Sequence, residues 1–198
     1  MAKAKPVTGL DAQAPTATNA RILARERLEE MYNWSEYVDN PYEVRALHDL
    51  RIAAKRLRYT LELFEDVLPG ACTSAVKEVE QIQDELGQLH DSDVIIALLR
   101  LGLGSQDSGT VYDQALSTAQ KKQGKQQTLV RPDLVAEIVN PQVTPSAEER
   151  YGLEQLLDKQ QHRREEQYLA FRQHWYQLQA EDFRRHLLNV LDREPVTT

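Results

Sequence analysis

The chain has 198 residues, 41% of them hydrophobic and 28% charged, and a formal net charge of -7; this fits one domain, or two tightly packed halves, with a real core. Its longest apolar run, VIIALL at 94–99, is far short of the ~20 residues that cross a bilayer, and its acidic average argues against indiscriminate nucleic-acid binding while allowing a local basic surface. Cys72 is the only cysteine, which excludes an intramolecular disulfide and a multi-cysteine metal site and fits a reducing compartment, with the cytoplasm as the default.

Residues 1–18 carry Lys3 and Lys5 but no apolar core segment, so they are expected as a flexible tail and not as a secretory signal. Beyond them, apolar residues recur at spacings of three and four without period-two alternation, which predicts an all-α antiparallel helical bundle. A first helix is expected from residue 18 or 19, capped by Thr18 or Asn19, to 38; Pro41 then opens a second helix at its first turn. LPGAC at 68–72 breaks that helix, and a third runs from 73 or 74 to about 100, where GLGSQDSG ends it. A polar fourth helix is expected at 110–123, followed by a proline-containing stretch, 124–146, with at most a short helix. Ser146 and Glu149 have the spacing of a capping box that opens a long helix to about 179, and a last helix covers 181–191. Residues 19–193 would then form the folded part, in halves of roughly 19–104 and 105–193.

The second helix contains LHDLRIAAKRLRYTLELF at 47–64. Leu47, Leu50, Ala54, Leu57, Leu61 and Phe64 form its apolar stripe. His48, Arg51, Lys55 and Arg58 share an adjoining strip about 80° wide, with Arg51 and Arg58 nearest the apolar border and Arg45 and Arg56 farther round. Like charges at these spacings repel, and a bound anion would remove that cost; the strip also reads as a solvated basic face. Acids such as Glu26, Glu29, Glu62 and Glu65 are expected away from it. In the third helix Val79, Ile82, Leu86, Leu89, Ile96 and Ala97 form the apolar stripe. Asp93 falls inside that stripe and His90 at its edge. A carboxylate facing the core needs a cation, and Arg51, Arg58 and His48 are nearest by sequence. On the long helix Leu153, Leu157, Tyr168, Phe171, Trp175 and Leu178 form a stripe that includes Arg164, flanked by His162, Arg163, Arg172 and His174. Setting His162 against His48 places Arg172 opposite Arg58, a suggestion of an internal repeat; the aromatic residues read as core before they read as a stacking platform.

HDLRIAAKRLRYTLELF at 48–64, followed by LGQLHDSDV at 86–94, resembles the CHAD family, the conserved histidine α-helical domain. There a helix begins His-x-x-Arg with further Lys/Arg at helical spacing, and a later helix carries Leu-Gly-x-x-(Arg/His)-Asp-x-Asp. The resemblance implies two pseudo-symmetric helical halves around a basic crevice, non-catalytic binding of inorganic polyphosphate, and association with polyphosphate granules. It carries His48, Arg51, Lys55, Arg58 and His90 directly as polyphosphate-binding residues, and Arg163, Arg164 and Arg172 by helical position, with Asp93 as a supporting ion pair. No cofactor, no metal, no membrane and no specific nucleic acid is expected.

LHD occurs twice, at 47–49 and 89–91, and His–Asp pairs on helices hold a divalent metal in HD-type phosphohydrolases. Against that reading, Asp49 and Asp91 are expected on the solvent side, and guanidiniums beside His48 would repel a metal. A third reading is a scaffold that docks a partner on HRREEQYLAFRQHWYQL at 162–178. No nucleophile with an adjacent base is evident, so the chain is not read as an enzyme.

Overall fold

Helical periodicity becomes helix throughout the part of the chain that the computed structural model describes, residues 6–104 and 145–192. The elements are α1 (Thr16–Tyr32), a 3-10 turn (Ser35–Tyr37), α2 (Val44–Leu63), α3 (Cys72–Gly102), α4 (Ala147–Ala180) and α5 (Phe183–Asp192). The fold is all-α, as the spacing predicts, with no strand among the described residues. The helix expected at 110–123 and residues 124–144 lie outside them.

Local chemistry explains where the boundaries differ from expectation. α1 opens at Thr16 behind Pro15, with no side-chain cap. Asn19 is already inside the helix, and its amide donates to the Asp11 carbonyl at 2.7 Å while its oxygen accepts the Asp11 N–H at 3.1 Å. α1 ends at Tyr32 and not near 38, because the chain tightens into the 3-10 turn. Asn40, not Pro41, organises the entry to α2: its side chain accepts the Tyr42 N–H at 3.0 Å and its carbonyl accepts the Glu43 N–H at 3.2 Å. The capping box forms as expected, with the Ser146 N–H donating to Glu149 at 2.8 Å and the Glu149 N–H to Ser146 Oγ at 3.3 Å. α4 and α5 are separated by Asp182, whose φ of 54° is left-handed, a conformation that Asp tolerates better than most side chains.

Contacts divide the chain into two units, one of residues 1–87 and 168–198 and one of residues 88–167. In the first, α1 packs on α2 and α5. Ala20, Ala24, Leu28 and Met31 of α1 are buried, as are Leu47, Leu50, Leu57 and Leu61 of α2 and Val79, Ile82 and Leu86 of α3. Phe171 and Trp175 are buried with ring centroids 6.2 Å apart, and Trp175 meets Tyr32 at 5.3 Å, so these aromatics are core. α2 is covered on a second side too. Ala46, Asp49 and Ala53 are buried along the row that continues to Arg56, which bonds Glu30 of α1. Asp49 is therefore not on the solvent side; it is only 8% exposed, flanked one turn either way by the buried Ala46 and Ala53.

In the second unit Leu89, Ile96, Ala97, Leu98 and Leu99 of α3 are buried together with the polar Ser92, Asp93 and Gln160. Ser92 donates to Gln167 Oε1 at 2.6 Å and accepts from Gln160 Nε2 at 2.8 Å, so its hydroxyl is satisfied on both counts.

Candidate functional site

The basic strip of α2 lies in the first unit beside the N-terminal part of α3, and the two helices meet there in an antiparallel register. Arg51 lies against Gly87, where a Cβ would sit 3.4 Å from the guanidinium Nε. One heptad along α2 and one heptad back along α3, Arg58 Nη1 donates to Glu80 Oε1 at 2.8 Å. The glycine of LGQLHD thus has a physical role: it leaves the helix surface bare for Arg51 to lie on.

The cations of this strip differ in how they are held. Arg51 and Lys55 form no ion pair among the described residues, and the buried Nε of Arg51 has no hydrogen-bond acceptor. Lys55 Nζ and Arg58 Cζ lie 5.3 Å and 4.9 Å from the centroid of the half-exposed Tyr59 ring, a cation–π arrangement. Arg58 meets Glu62 at 3.6 Å as well as Glu80. Glu62 was expected away from the strip, but as the i+4 neighbour of Arg58 it folds back onto it. His48 is half-buried, one turn before Arg51. Arg45 is exposed. Arg56 is committed elsewhere, to Glu30, a buried carboxylate that also takes Arg27 at 2.6 Å.

Farther along the first unit, Arg172 is tied to a loop acid. Its Nε donates to Asp39 Oδ1 at 2.7 Å, the Tyr176 hydroxyl donates to Asp39 Oδ2 at 2.6 Å, and the guanidinium lies over the Tyr176 ring at 5.1 Å. The Tyr176 hydroxyl, with Arg172, holds the Asp39 carboxyl below its ordinary value. His174 sits between two acids of α3, with Nδ1 2.9 Å from Glu85 and Nε2 3.3 Å from Glu78.

The remaining expected residues lie in the second unit. Asp93 does meet a cation, but the partner is Arg164 of α4, whose Nε donates to Asp93 Oδ1 at 2.5 Å; Arg51, Arg58 and His48 do not supply it. The reason is that α4 packs along this part of α3, as the Ser92 bonds to Gln160 and Gln167 establish. Burial pushes the Asp93 carboxyl above its ordinary value, against the pull of Arg164. His90 is half-buried on the preceding turn, and Arg163 is exposed without an ion pair among the described residues.

His48, Arg51, Lys55, Arg58 and Arg172 thus belong to one unit and His90, Arg163 and Arg164 to the other. The sequence marks Gly87 only as the glycine of the LGQLHDSDV motif and does not single out Tyr59 or Glu80; the seven-residue spacing of Glu80 and Gly87, matching that of Arg51 and Arg58, was the available signal. Among the described residues no group of three His, Cys, Asp or Glu side chains is placed to hold a metal ion, and no helix is long and apolar enough to cross a membrane. What the strip offers is donors and positive charge.

A family model for the CHAD domain matches residues 2–100, half of the 198 residues, a span that takes in both motifs and the register between them. No curated protein and no solved structure matches the chain.

Proposed function

Because the chain belongs to the CHAD domain family, we propose that it binds inorganic polyphosphate, without catalysing a reaction, through His48, Arg51, Lys55 and Arg58 on α2. The observation that carries this reading is the state of Arg51 and Lys55: in a chain with 31 acidic against 24 basic residues, neither has a carboxylate in reach among the described residues. A buried guanidinium donor left unbonded costs about 1–3 kcal/mol, and a phosphate oxygen is the acceptor that a planar fork fits best. His90 and Arg163 are proposed as polyphosphate contacts within the second unit, and Arg164 and Arg172, each held by a carboxylate, as positioned donors in their own units. The protein would act in the cytoplasm, at polyphosphate granules.

The test is a titration of the purified chain with polyphosphate, with a short duplex DNA and with a divalent metal ion, each at two salt concentrations. Polyphosphate should bind, and more weakly as salt rises, because displaced counterions return to the polymer. Equal affinity for DNA would reduce the strip to a generic basic patch, and tight metal binding with phosphate release would make the protein a phosphohydrolase instead.

A further inference from the structure

We infer that Glu80 is a specificity residue of the same site: a carboxylate that occupies Arg58 until a long, multiply charged anion displaces it. This inference rests on polyphosphate binding by α2. Its basis is the unequal way in which the acids hold the basic residues of that helix. Glu30, which holds Arg56, has a side chain only 6% exposed, whereas Glu80, which holds Arg58, is 50% exposed. Arg58 itself is 15% exposed and Arg56 24%, so the difference lies in the acids: a carboxylate half in water is released to solvent at small cost, while a buried one is costly to strand. Arg56 is therefore locked and Arg58 is only lent.

Geometry says which ligand can claim it. Arg51 and Lys55, which have no carboxylate among the described residues, precede Arg58 on the strip; Arg58 lies three residues beyond Lys55 and seven beyond Arg51, about 4.5 Å and about 10 Å along the helix axis. Arg58 is also still short of acceptors, since its buried Nε has none. A single phosphate ion held at Arg51 does not span the distance to Arg58 and leaves Glu80 where it is. A chain of phosphates anchored at Arg51 continues past Lys55 along α2 and replaces the Glu80 oxygen with its own, at the cost of that ion pair. Glu80 thus taxes anions that meet Arg58 alone, and the tax falls proportionately least on a ligand already fixed at two other cations.

The experiment is fluorescence anisotropy with end-labelled polyphosphate on the full chain, comparing the parent with Glu80→Gln, Arg58→Ala, the double variant and Glu154→Gln. The last removes the same charge from another exposed pair, Arg150–Glu154 at 3.3 Å, and so controls for net charge. Glu80→Gln should lower Kd by about three- to fivefold, the worth of one exposed pair, whereas Glu154→Gln should leave it near the parent. In the Arg58→Ala background Glu80→Gln should have no effect beyond that of Glu154→Gln. The inference is overturned if Glu80→Gln tightens binding no more than Glu154→Gln does, or if its gain persists without Arg58. A folded parent that binds no polyphosphate would instead overturn the function proposed above, and this inference with it.

Discussion

Replacing Arg51, Arg45 and Arg56 one at a time should separate three roles that share one charge. Arg51 rests on Gly87 with an unbonded Nε, so Arg51→Lys keeps the charge but loses the fork. A charge-assisted contact is worth about 1.5–3 kcal/mol, so Kd for polyphosphate should rise roughly 10- to 150-fold while the melting curve hardly moves. Arg45 is exposed and makes no ion pair among the described residues, and Arg45→Ala should weaken binding by less than about fivefold. Arg56 bonds the buried Glu30, and Arg56→Ala leaves that carboxylate with Arg27 but with less compensation, for a loss of about 1–3 kcal/mol in stability. Its effect on binding, measured per folded molecule, should stay as small as that of Arg45→Ala. Urea denaturation followed by circular dichroism, with anisotropy titrations on the same samples, reads both quantities. If Arg51→Lys binds like the parent, or if Arg45→Ala and Arg56→Ala weaken binding as much as Arg51→Ala, the strip is only a charged surface and Arg51 has no special place in it.

Arg164→Met strands the buried Asp93 carboxylate, and the variant should lose about 3–5 kcal/mol at pH 7. Asp93 is already held above 3.8 by burial, so its proton favours the fold below that value and is lost as pH rises through the folded value. Without Arg164 the folded value climbs further, so the deficit against the parent, read from urea curves at several pH values, should shrink on acidification; a pH-independent deficit would refute this account. Tyr176→Phe removes the hydroxyl that chiefly depresses Asp39, so the Asp39 carboxyl should titrate closer to 3.8. Because a depressed carboxyl stabilises the fold above its unfolded value and ceases to do so as pH falls through the folded one, the variant should lose less on acidification; an unchanged Asp39 titration by NMR would contradict the assignment. Phe171 is fully buried, and Phe171→Ala should cost about 3–5 kcal/mol. Phe171→Leu should leave polyphosphate affinity unchanged, whereas a large loss of affinity would return the ring to the role of a stacking platform.

The apolar stripe of α2 was legible because a helix records its inner face every three or four residues, and Leu47, Leu50, Leu57 and Leu61 are buried as that spacing requires. The capping box at Ser146 was legible for the same reason, since both of its hydrogen bonds are local. The burial of Asp49 was not, because the residues that flank it on its row, Ala46 and Ala53, are alanines, and alanine is ambiguous between a contact and an open face. The need of Asp93 for a cation followed from its place in the stripe, but the choice of cation did not: Arg164 lies 71 residues away, and chain proximity pointed to α2. Asp39 is harder still, since it sits in a loop where no periodicity operates, and Arg172 reaches it across 133 residues.

Periodicity therefore finds a cationic strip, but whether a cation on it is available is a property of the tertiary structure. Arg51, Arg56 and Arg58 lie within eight consecutive positions and differ in what the neighbouring helices set opposite them: a glycine of α3 for Arg51, a buried carboxylate of α1 for Arg56 and an exposed carboxylate of α3 for Arg58. The register that brings this about could be tested against the sequence once one contact was known, because Arg51 on Gly87 places Arg58 on Glu80 without further assumption. For a chain with net charge -7, this is how an anion site can exist at all: the acids need not be few, only placed where they hold some cations firmly, one loosely, and leave Arg51 and Lys55 without a carboxylate among the described residues.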